Sequence, residues 1–272
     1  MADLIVGTTI SPVQMVLTPD LIPANSSELI YCAATLSKPQ YPLLDPFGRD
    51  IAYQPLSTFD NASNHNQKSA QSNQGFHYLH ASGIRQDVID IFLNLKDYSE
   101  AVDAYSQSAI LPEYMADNRN WVLHRLLSLP SVGASPLLAQ INMLSENFHS
   151  AMLCFEACRL TAVMYCIHVT FPVPRSMYAR RLLLPQLKES IGKVQLVVGN
   201  QALAELLLWC VVVGGVAASY QPDRSWFATQ LFHVVRFLDL TKWSDAKMVL
   251  RKFAWLGSAC DRGGAAFWNE VL

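Results

Sequence analysis

Charge is what this chain has least of. Only 15% of its 272 residues are charged, against about 25% in an ordinary globular domain. The formal net charge is -2, with no long basic run. Affinity for nucleic acid comes mainly from Lys and Arg on phosphates, so direct nucleic-acid binding is not expected. No two cysteines form a C-x-x-C pair. Cys32, Cys154, Cys158, Cys166, Cys210 and Cys260 mostly sit in apolar helical patterns, which reads as reduced core thiols of an intracellular protein. A hydrolase elbow, a phosphate loop and H-E-x-x-H are all missing, so no metal or cofactor is expected. The start, Met1-Ala-Asp-Leu, lacks the basic and long apolar regions of a signal peptide, so the expected location is cytoplasmic. Without a secretory signal, the acceptor patterns at Asn25 and Asn61 are chance matches.

Apolar residues are abundant instead, at 51% of the chain. So many on so little charge implies a large core, an apolar cavity or an apolar association surface. The greasiest run, Ala202 to Ala218, carries Glu205 and falls short of the ~20 residues that span a bilayer. It reads as a buried helix, and no membrane span is expected.

Residues 1–80 read as an irregular, Pro-rich segment. Pro12, Pro19, Pro23, Pro39, Pro42, Pro46 and Pro55 break every candidate helix except Ser27 to Leu36. Val6 to Leu17 is a possible strand-like arm. Residues 60–75 have no apolar residue larger than alanine and read as a mobile polar loop. Residues 81–272 read as a single helical domain. Ile84, Val88, Ile91, Phe92 and Leu95 recur at helical spacing behind Ser82 as N-cap. Tyr98 to Gln107 reads as a separate short helix. Pro112 opens another, ended by Pro130. Ser145 to Phe171 is unbroken, and Ser176 to Lys193 is interrupted at Pro185. Gln201 to Leu238 holds two helices joined at Gln221-Pro222-Asp223. Ser244 caps a helix to Leu256 that Gly257 closes, Arg262-Gly-Gly is a turn, and Ala265 to Leu272 is the last helix. The expected fold is all-α, a globular array of about eight to ten helices around an apolar core or cavity.

Several motifs recur in a familiar order. Glu156-Ala-Cys-Arg159 leads to Phe171-Pro-Val-Pro174, then Leu206-Leu-Leu-Trp209, Gly214-Gly215 and Arg224-Ser-Trp-Phe227. Leu250-Arg-Lys-Phe253-Ala-Trp255 and Trp268 follow. This half resembles the C-terminal regulatory domain of fungal zinc-cluster transcription factors, the group that includes the sterol-uptake regulators. The resemblance implies an all-helical domain that holds an apolar ligand such as a sterol. In that family a DNA-binding module with six clustered cysteines and a basic tail normally precedes it. Residues 1–80 hold only Cys32, Lys38, Arg49 and Lys68 of that kind, so the module is expected to be missing.

Two functions follow as expectations. The first is a stand-alone, cofactor-free cyclase or pericyclase, of Diels–Alder type, acting in fungal terpenoid or polyketide secondary metabolism. Such a step needs a shaped pocket and one or two donors on a carbonyl. Tyr165, His168, His233, Glu205 and Arg236 are its candidate catalytic residues, with Arg236 or Arg224 as the partner of Glu205. Trp209, Trp226, Tyr220, Phe155 and Met152 are candidate ligand contacts, because aromatic and thioether side chains pack a carbon skeleton. The second is a regulator without DNA-binding capacity, nuclear, that senses a sterol-like ligand or joins a full-length factor. A homodimer is possible under either. For each of these residues ordinary core packing is the alternative. Asp87 and Asp90, at helical spacing, are either a weak cation site or a solvated face. Glu156 and Arg159, one turn apart, are expected to pair.

Overall fold

The computed structural model describes residues 31–33, 35, 37–43, 49–55, 75–104, 112–131, 146–171, 177–196 and 200–272. The strand-like arm, both glycosylation patterns and nearly all of the polar loop lie outside them. From residue 75 onward the described residues form nine α-helices and no strand, so the fold is all-α. In chain order they are α1 Tyr78–Ala81, α2 Gln86–Ala104, α3 Pro112–Ser128, α4 Glu146–Tyr165 and α5 Met177–Lys193. Then come α6 Gln201–Ala217, α7 Arg224–Phe237, α8 Trp243–Leu250 and α9 Gly257–Val271. A short 3₁₀ turn, Gly75–His77, precedes α1, and a π-helical turn, Cys166–Thr170, extends α4.

A helix apolar on every face must be covered on every face. Helix α6 meets that condition: α4, α5, α7, α8, α9 and the 3₁₀ turn all pack on it. Every residue from Leu203 to Gly215 is buried. Its start is fixed by Asn200, whose side-chain oxygen accepts from the Leu203 N–H at 3.1 Å, a standard N-cap. The stretch Met152–Thr170 is long and apolar enough to cross a bilayer. It is mostly buried instead, with α3, α5 and α6 packed against α4.

Segments before residue 81 join the same core. Phe76 is wholly buried and meets the rings of Phe92, Trp209 and Phe253. Gly75, at the end of the expected polar loop, is buried at φ 67°. A Cβ there would lie 2.2 Å from the Lys252 carbonyl oxygen, so the close approach admits only glycine. Asn118 clasps the backbone of Gln54 with both ends of its amide, at 2.9 and 2.8 Å.

Several helix boundaries differ from those expected. Ser82 ends α1 rather than capping α2, and α2 runs unbroken through Tyr98, since nothing between Gln86 and Ala104 interrupts it. Helix α5 passes through Pro185 without a break. Pro185 leaves the Arg181 carbonyl without its helical donor, and both residues are exposed, where water serves instead. Helix α8 begins at Trp243 and stops at Leu250. The Ser244 hydroxyl donates to Asp245 instead of capping. Gly257 opens α9 rather than closing α8. The Asp103 carboxylate on α2 accepts from the Gly257 N–H at 2.7 Å and the Ser258 N–H at 3.1 Å, and so supplies the missing cap. Gly263 and Gly264 lie inside α9, not in a turn. A Cβ on Gly264 would sit 2.5 Å from the Trp243 ring, so packing against tryptophan outweighs the low helix propensity of glycine here.

Candidate functional site

Helix α6 carries Glu205 and Trp209 one turn apart. Glu205 is buried. It accepts from Lys252 Nζ at 2.7 Å and from Gln201 Nε2 at 3.3 Å. Its cation is therefore Lys252, just after α8, and not Arg236 or Arg224. Arg224 is engaged elsewhere. It pairs with Glu270 on α9 and donates to the Gly215 carbonyl. Replacing Glu205 with alanine is expected to cost about 1–3 kcal/mol, because a nearly buried ion pair is broken while Lys252 stays partly hydrated. Urea denaturation reads the cost, and ligand binding by the folded fraction is expected to be unchanged.

Trp209 is fully buried. Its indole N–H donates to the Ala254 carbonyl at 2.8 Å. Tyr165, at the end of α4, is equally buried. Its hydroxyl donates to Ser99 Oγ at 3.1 Å and accepts from the Leu256 N–H at 2.8 Å. Burial pushes the Tyr165 phenol well above its usual pKa. Both donors are thus spent on joining α4 and α6 to α2 and to the α8–α9 connection. Phe155 and Met152, on the buried side of α4, are core residues, and Phe155 packs edge-on against Phe92 at 6.4 Å.

The other expected site residues lie away from this cluster. His233 and Arg236 are exposed on α7. They flank Phe232, with the His233 ring edge-on at 6.0 Å and the Arg236 guanidinium over its face at 5.5 Å. Tyr220 is 101% exposed, held at φ 63° in the turn between α6 and α7. It packs no ligand within the core. Trp226 is half-buried against Phe227, with Lys188 Nζ 5.8 Å above its ring. His168 lies half-buried on the π-turn. The five residues chosen as catalytic therefore do not converge.

The acidic and sulfur-bearing candidates resolve into structural roles. Asp87 pairs with Arg85 at 2.8 Å and Asp90 accepts from Gln86 at 2.7 Å, so the two carboxylates share no cation. Among the described residues no group of three His, Cys, Asp or Glu is placed to hold a metal ion. Glu156 and Arg159 do pair, through two bonds of 2.9 and 2.8 Å. All six cysteines are buried, and none is in a disulfide bond. Burial raises the thiols of Cys166, Cys210 and Cys260 to about 12, which leaves them as inert packing groups.

A polar group absent from the expected site stands out in the core. Arg119 on α3 is 3% exposed. Its Nε and Nη2 both reach Asn120 Oδ1, at 3.3 Å, and its guanidinium lies over the Phe171 ring at 4.6 Å. Tyr98 on α2 is buried and close enough to Arg119 to act on it electrostatically. Desolvation pushes the Tyr98 phenol up to about 12. The available signal was Asn118-Arg119-Asn120, three strongly polar residues followed directly by Trp121-Val-Leu. No family model, curated protein or solved structure matches this chain.

Proposed function

We propose that this chain is a ligand-responsive regulatory domain of the zinc-cluster transcription-factor type, which binds an apolar metabolite and signals through protein contacts. One observation carries the choice of regulation over catalysis. The groups proposed for chemistry are either committed to structural bonds, as in Tyr165, Glu205 and Trp209, or set on the outside of α7, as in His233 and Arg236. A cofactor-free cyclisation needs donors aimed together at the atom where charge develops. These residues supply no such focus. A sensor needs only apolar contact and a shape that answers to it. The order of motifs from Glu156 to Trp268 supports the same reading. The exposed faces of α5 and α8, with Arg181, Gln186, Glu189 and Met248, are the surfaces offered to a partner.

Mass spectrometry of the ligand retained through purification tests this. A sterol-like or other apolar compound, recovered unchanged after prolonged incubation with the protein, is the expected result. Conversion of an added polyene or terpenoid precursor into a cyclised product would favour the cyclase. Absence of any bound apolar compound, natural or added, would remove both readings.

A further inference from the structure

We propose that the face shared by α2 and α3 is a docking site for a linear, tyrosine-bearing peptide of a partner protein, and that residues 49–55 of this chain occupy it as a resident competitor. The proposal is independent of the apolar ligand.

The receptor side comes from one stripe of α3, Asn118, Trp121 and Arg125, and from Asn94 and Asp97 one turn apart on α2. Asn118 is wholly buried. Its carboxamide spends both ends on a single residue of the segment. Oδ1 accepts from the Gln54 N–H at 2.9 Å, and Nδ2 donates to the Gln54 carbonyl at 2.8 Å. The same two bonds pair a residue with its neighbour in an antiparallel sheet; here a helix side chain makes them. They fix the path of a peptide backbone and ignore the side chain at that position. Tyr53 supplies the sequence reading. Its hydroxyl lies 2.7 Å from Asp97 Oδ2 and 3.0 Å from the Asn94 carbonyl, two acceptors for its one proton. Its ring meets Trp121 at 5.4 Å, and the Arg125 guanidinium stands over the same indole at 5.4 Å.

The resident segment is attached without being absorbed. None of residues 49–55 is buried: Ile51 and Tyr53 are half-buried and the others are exposed. None belongs to a helix. A core segment holds by apolar burial, as Phe76 does with its wholly buried ring. The links of residues 49–55 to α2 and α3 run through hydrogen bonds and one tyrosine, which another peptide can reproduce.

The same contacts define the partner. The residue after its tyrosine is not proline, because Asn118 accepts from that N–H. The tyrosine is unmodified. Burial and the Asp97 carboxylate push the Tyr53 phenol above its usual pKa, so it stays a donor. A phosphate there would set about two negative charges against Asp97. A second copy of this chain carries the same segment but does not displace it at ordinary concentrations. A segment on the same chain competes at an effective concentration of about 1 mM. A different protein with a better-matched peptide overcomes that.

Fluorescence anisotropy with a labelled Arg49–Pro55 peptide and the full chain tests the proposal. Tyr53→Ala loosens the resident segment and opens the site. Gln54→Pro, which removes the N–H that Asn118 accepts, is a second opened chain. Either is expected to bind the peptide at least about 10-fold more tightly than the wild type, whose apparent Kd is expected at about 1 mM or above. The peptide with phenylalanine or phosphotyrosine for its tyrosine should bind an opened chain about 10- to 100-fold less tightly, the range for a hydrogen bond to a charged group. Adding Asn118→Ala to an opened chain should weaken binding by on the order of 10-fold. Equal binding by wild-type and opened chains overturns the proposal, as does equal binding of the tyrosine and phenylalanine peptides. If neither opened chain folds, the segment is part of the core and the proposal falls. A wild-type dimer at about 50 µM, well below the effective concentration in cis, that Asn118→Ala disperses would put a second copy in the site and overturn the choice of partner.

Discussion

Replacing Trp209 with alanine is expected to cost about 3–5 kcal/mol of stability, the range for truncating a fully buried large aromatic. Whole-domain stabilities are about 5–15 kcal/mol, so the loss approaches the limit of folding. The size follows from what meets at this ring. Phe253 stacks on it at 5.9 Å, Phe76 meets it edge-on at 5.2 Å and Tyr165 lies at 6.4 Å. These rings come from the α8–α9 connection, the 3₁₀ turn and α4. The indole N–H adds a hydrogen bond to the Ala254 carbonyl. Trp209→Phe separates the two contributions. It keeps most of the packing and leaves the buried carbonyl without a donor, at a cost of about 1–3 kcal/mol. Trp226→Ala is the control. Trp226 is only half-buried, and its removal should cost well under half as much as that of Trp209. Chemical denaturation followed by far-UV circular dichroism reads all three. Equal losses at positions 209 and 226 would mean that the aromatic cluster does not hold α6 in place.

How far the fold was legible depended on where the information lay along the chain. Local pattern sufficed for α6, because a run without a polar face has only one place to go. It sufficed for Glu156 with Arg159, whose partners are one turn apart. It did not suffice where the partner is remote. The cap that starts α9 is Asp103, 154 positions before Gly257, and no rule of spacing connects them. Gly263-Gly264 carries the signature of a turn, yet at Gly264 the rings of Trp243 and Trp255 occupy the space a side chain would need, and at Gly263 Val216 crowds it. For Glu205 the next helix in sequence offers Arg224 and Arg236 as cations. The cation comes instead from Lys252, brought over by the return of the chain after α8. The candidate site was read less well than the fold, for a related reason. Tyr165 and Trp209 looked available because a sequence displays donors without displaying acceptors. His233 and Arg236 fall on the solvent side of α7, and only the packing of α7 against α6 and α9 determines which side that is. Arg119 is not legible as a core residue because a polar triplet on a helix usually marks a solvated face. Here the triplet is buried, and Phe171 rather than water covers the Arg119 guanidinium.

Gly215→Ala is expected to destabilise the protein by about 1–2 kcal/mol, against the usual preference of helices for alanine. That preference is worth about 1 kcal/mol in favour of the substitution. The opposing effect is steric. A Cβ on Gly215 would lie 2.1 Å from Phe267 Cε1 and 2.3 Å from Cζ. A ring tip ordinarily swings away at little cost, but this ring is held. Phe267 is wholly buried, and the Arg224 guanidinium lies 4.1 Å over its face. Arg224 is itself fixed by Glu270 at 2.6 Å and by the Gly215 carbonyl. Moving the ring therefore disturbs a staple that joins α6, α7 and α9. Overpacking of such a site typically costs about 1–3 kcal/mol, more when nothing can yield, so the net sign is unfavourable. A Cβ on Gly214 would likewise lie 2.4 Å from Phe227 Cε1, and the pair of glycines lets two helices approach α6 closely. Gly215→Val should be worse than alanine, since it adds branched bulk to the same contact. Relief should come from the other side: Phe267→Leu removes the clashing atoms. A double-mutant cycle between positions 215 and 267 is expected to give a favourable coupling of about 1–3 kcal/mol. Strict additivity in that cycle would show that the ring had room to move and that glycine is not what brings α9 close to α6.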